Sequence, residues 1–140
     1  MRDDRRPFSL HGLDHIVLRI ADRERALRFY LGVVGCTLER EQSELGLIQL
    51  RAGRSLIDLV TLEGALGRLG GHGAGKEGRN LDQFCLRIEP FDLDALAAHL
   101  AQHGVAIEAA GARYGAEGEG PSVYVRDPDG NQLELKGPPS

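Results

Sequence analysis

The chain has 140 residues, of which 41% are apolar and 27% charged, and its formal net charge is −4. This length fits one globular domain with a substantial core, and the acidic balance argues against broad binding to nucleic acid, which needs a basic face. The first eleven residues of the chain lack the apolar region of a signal peptide, and no stretch approaches the roughly 20 apolar residues of a membrane span. We therefore expect a cytoplasmic protein without nucleic-acid or membrane partners.

A short tail, residues 1–12, precedes a first unit that we predict over residues 13–62. Two sets of side chains alternate along its first strand, at 13–20: Ile16, Leu18 and Ile20 on one face, and His15, Val17 and Arg19 on the other. Asp22 can cap a helix over 23–31, and Gly35 can end it. Three further strands are predicted at 36–41, 46–51 and 56–62.

The segment 63–80 separates this unit from the next and is predicted to be a flexible linker or lid. It contains seven glycines in eighteen residues. Its stretch 70–76 fits the GxxxxGK pattern of a phosphate-binding loop. However, Glu77 stands where that motif has Ser or Thr, and a strand rather than a helix is predicted to follow, so nucleotide binding is not expected.

A second unit is predicted over residues 81–136, with the same order of elements. Its first strand covers 81–88, and a helix over 93–102 begins after Asp92 with an apolar stripe of Leu93, Leu96, Ala97 and Leu100. The remaining strands are predicted at 105–109, 122–126 and 132–136. The glycine-rich segment 111–120 is predicted to be a loop that can close over a pocket, and 127–131 to be a tight turn.

The two units begin with related octapeptides, which indicates a tandem repeat. Leu13–Ile20 returns as Leu81–Ile88 with Leu, Asp, Leu, Arg and Ile unchanged at matching places. This pairs His15 with Gln83, and alignment through the last turn of each unit brings Asp58 opposite Glu134. We predict an α+β fold of two tandem βαβββ modules, each with an acidic residue on its final strand.

The repeat therefore indicates one candidate site formed by His15, Asp58, Gln83 and Glu134. In a cupped sheet, the first and last strands of each module can direct these side chains towards one point. One imidazole, one amide and two carboxylates suit a divalent ion with mixed N and O ligands, such as Ni, Zn, Mn, Co or Fe(II). The alternative is that they are polar residues on a solvated sheet face.

Several segments resemble the vicinal oxygen chelate superfamily, which includes glyoxalase I, bleomycin-resistance proteins and extradiol dioxygenases. They are 13–18, the Phe29-Tyr30 pair before Gly35, and 122–135 with its Asp127-Pro-Asp-Gly-Asn turn. The resemblance covers 13–136 and implies one glyoxalase-like domain. In this domain the two modules would form a cupped mixed sheet around a central cavity, with the helices outside. It also implies a divalent metal that chelates vicinal oxygens of a small-molecule substrate.

Carried over by position, His15 and Glu134 match the family's metal ligands on the first and last strands. Asp58 lies where many members have Glu, and its shorter side chain puts direct ligation in doubt. Gln83 is the main departure, because many relatives have His there. The triad of two His and one carboxylate used in Fe(II) oxygen chemistry cannot be assembled, so extradiol cleavage is not expected.

The resemblance implies proton transfer next to a carbonyl, through an enediolate-type intermediate, with Glu134 as the base. Tyr124 can line the cavity as a catalytic hydrogen-bond donor, or it can simply pack in the core. Arg19 and Arg87 occupy matched positions and can hold an anionic substrate. The alternative is that these arginines pair with Asp58 or Glu134.

Two classes of function remain open on the sequence alone. The first is a metal-dependent lyase or isomerase related to glyoxalase I, and the second is a metal-free protein that sequesters a ligand, as bleomycin-resistance proteins do. Members of this superfamily build their site within one chain or across a dimer. We expect a homodimer here.

Overall fold

The computed structural model describes residues 6–140 and contains two four-stranded sheets. The eight strands are β1 (His15–Ile20), β2 (Thr37–Gln42), β3 (Leu47–Ala52), β4 (Ser55–Thr61), β5 (Phe84–Arg87), β6 (Ala109–Gly115), β7 (Gly118–Arg126) and β8 (Gln132–Lys136). Residues 6–12 of the predicted tail form no helix or strand, nor do residues 13 and 14 of the predicted first strand; the first five residues of the tail lie outside the described part. No helix within residues 6–140 is long and apolar enough to cross a membrane.

The two sheets have the same topology, which confirms the predicted α+β fold of two tandem βαβββ modules. The strand orders are β1-β4-β3-β2 and β5-β8-β7-β6. In each sheet the first and last strands of the module are parallel neighbours, and the other pairs are antiparallel. The registers also match, since β1 places Val17 beside Asp58 and β5 places Cys85 beside Glu134. Both sheets are open rather than closed into a barrel.

Each module has one helix, which its capping aspartate positions after the first strand. The helix α1 (Arg23–Leu27) begins where Asp22 accepts a hydrogen bond from the Arg25 amide at 3.0 Å, and it continues as a π-helical segment (Arg28–Val34). The helix α2 (Leu93–Gln102) begins in the same way at Asp92. These side chains satisfy amides that have no partner within the helix.

The buried core joins both modules. Leu18 and Ile20 of β1 are fully buried in the same cluster as Leu100 of α2 and Leu133 of β8. Alternation along each strand sends these side chains to the helix side of the sheets. The opposite faces carry the polar residues predicted for the site, together with apolar ones such as Val17 and Val60.

Polar contacts between the modules reinforce this core. The buried Tyr30 hydroxyl, next to α1, donates to the carboxylate of Asp127 in the β7–β8 turn at 2.5 Å. Asn80, at the end of the linker, donates to the Arg19 carbonyl at 3.0 Å and to the Asn131 side chain at 3.1 Å. These contacts hold the last turn of the second module against the first.

The structure corrects two predictions about the second module. The glycine-rich segment 111–120 is not a loop, because most of it belongs to the hairpin of β6 and β7. The predicted strand at 105–109 is absent except for Ala109, since Val105 donates its amide to Leu100 and closes the helix instead. In α2, Leu93 is 48% exposed and therefore lies outside the predicted apolar stripe.

Candidate functional site

On the open face of the first sheet, the structure brings His15 and Asp58 close together. The His15 side chain is 46% exposed, and its Nδ1 lies 2.8 Å from Oδ2 of Asp14. The hydrogen bond to Asp14 and, next, the charge of Asp58 raise the pKa of His15 above its usual value. Asp58 itself is buried and accepts hydrogen bonds from Nε2 of Gln49 at 3.2 and 3.3 Å.

The second sheet holds the matching pair, Gln83 and Glu134. Nε2 of Gln83 donates to one Glu134 oxygen at 3.2 Å, and the Ser122 hydroxyl donates to the other at 2.6 Å. Gln132 donates in turn to the Gln83 carbonyl oxygen at 2.9 Å. Tyr124 lies directly across from Glu134 on the neighbouring strand. Glu134 is only 6% exposed, so these hydrogen bonds fix a buried carboxylate in one orientation.

Two cavities adjoin these side chains. A cavity of about 360 Å³ lies over the second sheet, and its lining includes Gln83, Cys85, Arg87, Tyr114, Glu134 and Lys136. A second cavity of about 370 Å³ lies where the two modules meet, and it is lined by both His15 and Gln83. His15 and Gln83, which occupy equivalent positions in the repeat, therefore line one cavity, although they belong to different sheets.

The four predicted metal ligands form two pairs rather than one cluster. Among the described residues, no three His, Cys, Asp or Glu side chains gather into a group that could hold a metal ion. Asp58 and Glu134 instead accept hydrogen bonds from glutamine amides, those of Gln49 and Gln83. These four side chains therefore form no single ligand cluster within the described chain, although their N and O donors are of the kinds that suit a divalent ion.

The two predicted substrate-binding arginines have different surroundings, and neither pairs with Asp58 or Glu134. The Arg19 guanidinium donates to backbone carbonyls of the linker, those of Gly67, Gly71 and His72, at 2.6–2.9 Å. Arg87 contacts Glu117 at 2.5 Å and Glu89 at 2.9 Å. Arg19 thus anchors the linker, whereas Arg87 lines the cavity over the second sheet.

Sequence reasoning missed three residues of these open faces: Gln49, Ser122 as the partner of Glu134, and Lys136. Gln49 stands opposite Asp58 between β3 and β4, and Ser122 stands opposite Lys136 between β7 and β8. Only the cross-strand register reveals these pairings. The alternation Ser122, Tyr124, Arg126 was the available sign that Ser122 shares a sheet face with Tyr124, which lies across from Glu134.

The chain matches the family model described as Glyoxalase/Bleomycin resistance protein/Dioxygenase superfamily over residues 12–135. It is 29% identical to the glyoxalase domain-containing protein RDO1 of Mycosarcoma maydis, over 93% of this chain and 70% of that protein. It is 30% identical to the virulence protein STM3117 of Salmonella typhimurium, over 88% of this chain and 81% of that protein. The crystal structure of STM3117 superposes with a TM-score of 0.75, covering 94% of this chain and 99% of that chain at 26% identity.

Two more distant structures share the fold. A lactoylglutathione lyase from Agrobacterium tumefaciens has a TM-score of 0.64 at 22% identity, covering 94% of this chain and 96% of that chain. TnmS3, an antibiotic binding protein from Streptomyces sp. CB03234, has a TM-score of 0.63 at 23% identity, covering 94% of this chain and 98% of that chain. With its paired modules and a family match over nearly its whole length, this chain belongs to the Glyoxalase/Bleomycin resistance protein/Dioxygenase superfamily.

Proposed function

We propose that this protein is a glyoxalase-like lyase or isomerase that depends on a divalent metal and acts on a small oxygenated substrate. The observation that supports this most directly is the matched placement of His15 with Asp58 and of Gln83 with Glu134 on two equivalent open sheet faces. Folding alone does not require such polar pairs at equivalent positions of both sheets, whereas a site for chemistry does require them.

The donors proposed for the metal are the His15 imidazole, the Asp58 and Glu134 carboxylates and the side-chain carbonyl oxygen of Gln83. This set suits Ni, Zn, Mn, Co or Fe(II). A bound metal would supply Lewis acidity that polarises a substrate carbonyl. Gln83 would reorient its amide to offer its oxygen, because its nitrogen now faces Glu134.

The residues of the second sheet are proposed to carry the proton transfer. Glu134 takes the proton from a hydroxyl-bearing carbon next to the substrate carbonyl, which leaves an enediolate-type intermediate. It then returns this proton to the former carbonyl carbon, while the hydroxyl proton passes to the former carbonyl oxygen. Ser122, at 2.6 Å, holds the carboxylate in place. Tyr124 donates a hydrogen bond to a substrate oxygen. Arg19 and Arg87 are proposed to attract an anionic substrate, Arg87 by exchanging its carboxylate partners for the ligand.

We further propose that the complete site forms in a homodimer, where the first sheet of one copy faces the second sheet of the other. The support is that each chain presents two half-sites and leaves both sheets open. In that assembly His15 and Asp58 of one copy would meet Gln83 and Glu134 of its partner.

The cytoplasmic location expected from the sequence also stays a prediction.

Metal content and complementation test this proposal. After dialysis against limiting divalent metal, the parent should retain about one ion per site and the His15→Ala variant should lose it, while His11→Ala, a change in the exposed tail, should retain it. Mixing His15→Ala with Glu134→Gln chains should restore about one quarter of the sites in a statistical 1:1 mixture, because half of the dimers then carry one intact site. Parent protein that retains no metal would contradict the metal site. Variants that fail to complement would contradict a site shared between two chains.

A second candidate function is metal-free sequestration of a ligand. The observation that favours it is that Gln49 and Gln83 already satisfy both buried carboxylates with hydrogen bonds. TnmS3, an antibiotic binding protein of the same fold, is consistent with this alternative. Two measurements distinguish the candidates, because sequestration predicts no retained metal and ligand binding that survives the Glu134→Gln change.

A further inference from the structure

Lys136, at the end of β8, has a buried ammonium group without a partner. The residue is 6% exposed, and its Nζ atom has no hydrogen-bond partner among the described residues. Burying an unpaired charge is costly, so lysines are almost never buried without a counter-charge. Lys136 lines the 360 Å³ cavity over the second sheet, together with Glu134.

The β6–β7 hairpin leaves space for this side chain through two glycines. A Cβ atom at Gly115 would lie 2.6 Å from Cε of Lys136, and a Cβ at Gly120 would lie 3.0 Å from its Nζ. The Cβ at Gly120 would also lie 2.6 Å from the Pro138 carbonyl oxygen, so a larger residue there would require the backbone to shift. Glycines at 115 and 120 therefore leave the space that the buried lysine side chain occupies.

No neighbouring carboxylate of the described residues accepts a hydrogen bond from Lys136. Glu134, which lines the same cavity, accepts its hydrogen bonds from Gln83 and Ser122. The acids close to this face, Glu117 and Glu89, pair with Arg87 instead. The hydrogen-bond donors of the Lys136 ammonium group are therefore unused among the described residues, and an anionic oxygen that enters the cavity would find them free.

The repeat provides an internal comparison for this position. Lys136 stands beside Arg87 and opposite Ser122, and the matching residue of the first sheet, Val60, stands beside Arg19 and opposite Leu47. Val60 is also buried, at 6% exposure. A valine is therefore sufficient for packing at this position, and packing alone does not explain the lysine of the second sheet.

We propose that Lys136 binds an anionic group, a carboxylate in the first instance, of the ligand that occupies the cavity over the second sheet. The role of Lys136 in substrate choice rests on the proposed function, whereas its binding of an anion rests on the cavity alone. Lys136 and Glu134 point to the same face two residues apart, so their backbones are separated by about 6–7 Å along the strand. The ligand accordingly carries its negative charge a few bonds away from the atoms that Glu134 reaches.

The chain has two lysines, Lys76 and Lys136, which allows a direct measurement. Metal-free protein labelled with ¹³C at lysine Cε should give two lysine signals, assigned with the Lys76→Gln and Lys136→Met variants. The probes are acetate, 2-oxoglutarate and inorganic phosphate, with acetamide as the uncharged control. We expect a carboxylate probe to shift the Lys136 signal saturably, with no change at Lys76 and no effect of acetamide.

Calorimetry of the same probes on the two variants completes the test. Lys136→Met should weaken binding of the responding probe about tenfold or more, and Lys76→Gln should leave it unchanged. Three outcomes would overturn the proposal: no probe moves the Lys136 signal, both lysine signals move together, or Lys136→Met binds as tightly as the parent. The matched Val60 predicts that Lys136→Met folds, and the signal shift in the parent does not depend on that variant.

The design separates this proposal from the proposed metal-dependent activity. Because these measurements use metal-free protein, saturable anion binding that survives His15→Ala supports the Lys136 site even if the protein never retains a metal. A carboxylate from a second copy of the chain is the competing source of counter-charge. Sedimentation of the parent and of Lys136→Met distinguishes the ligand from a second copy of the chain. The ligand site would be refuted if no probe shifts the Lys136 signal of the parent and if Lys136→Met loses a dimer that the parent forms.

Discussion

The hydrogen bond between Tyr30 and Asp127 connects the two modules and gives a quantitative prediction. It is 2.5 Å long and joins a fully buried tyrosine to a carboxylate that is 5% exposed. Hydrogen bonds to charged groups contribute about 1.5–3 kcal/mol. In Tyr30→Phe, Asp127 would keep three donors, one from the Asp129 amide and two from Asn131. We therefore expect a loss of about 1.5–2 kcal/mol in the free energy of unfolding.

Urea unfolding followed by circular dichroism measures this loss, and the slope with urea should stay unchanged because no surface is newly exposed. The melting temperature should fall by roughly 5–8 °C for a domain of this size. Tyr114→Phe is the matched control, since Tyr114 is 84% exposed and its change should stay within about 0.5 kcal/mol. A Tyr30→Phe loss no larger than that of the control would refute the assigned role.

The same contact has a defined pH dependence. Burial and, next, the charge of Asp127 raise the pKa of Tyr30 well above its usual value. The folded protein thus keeps this proton where the unfolded chain releases it, and its stability falls as pH rises above about 10. The difference between parent and Tyr30→Phe should be full at about pH 8 and smaller at about pH 10.5. A difference that grows with pH would contradict this sign.

Two further predictions concern the first module and the linker. Asp14→Asn should lower the pKa of His15, because the hydrogen bond that Asp14 accepts from the imidazole is the main cause of its elevation. The imidazole proton signals, followed by NMR against pH, measure this pKa, and an unchanged midpoint would argue against the bond. Any stability from this pair is present at low pH and is lost as pH rises through the elevated pKa. Gly67→Ala should destabilise the fold by about 1–3 kcal/mol, because the added Cβ would collide with the Thr61 carbonyl oxygen, whereas Gly75→Ala meets open space and should be nearly neutral in the same urea assay.

Elements with local signals at both ends could be predicted to the residue. The helix α2 was expected over 93–102 and is Leu93–Gln102, because Asp92 caps it and Gly104 follows it. The strand β8 was expected over 132–136 and is Gln132–Lys136. In these cases a side chain or a glycine conformation fixes the boundary, and both are visible in the sequence.

The β6–β7 hairpin could not be predicted in this way. Segment 111–120 contains four glycines, which are depleted in strands, and its pattern does not alternate clearly. Its strand structure depends on pairing with a partner, as in the register of Arg113 with Gly120. Here the glycines serve another purpose, because Gly115 and Gly120 make room for Lys136 under the hairpin.

The candidate site was predictable to the extent that the repeat specified it. Alignment of the modules paired His15 with Gln83, and Asp58 with Glu134, without any knowledge of the sheets. It did not predict that glutamine amides would occupy both carboxylates, because Gln49 meets Asp58 only through the register of β3 with β4. Register is set by tertiary packing, so contacts that depend on it require the structure.

The departures from the repeat are more informative about function than its shared letters. Arg19 and Arg87 are the same residue at the same position, yet Arg19 holds the linker carbonyls while Arg87 faces a cavity. Their neighbours differ as well, with Val60 beside Arg19 and Lys136 beside Arg87. The arginine of the first sheet thus holds the linker carbonyls, and the second sheet has a buried lysine where the first has a valine. We therefore propose that the open face of the second sheet selects the ligand, and that the first sheet contributes His15 and Asp58 to the proposed chemistry.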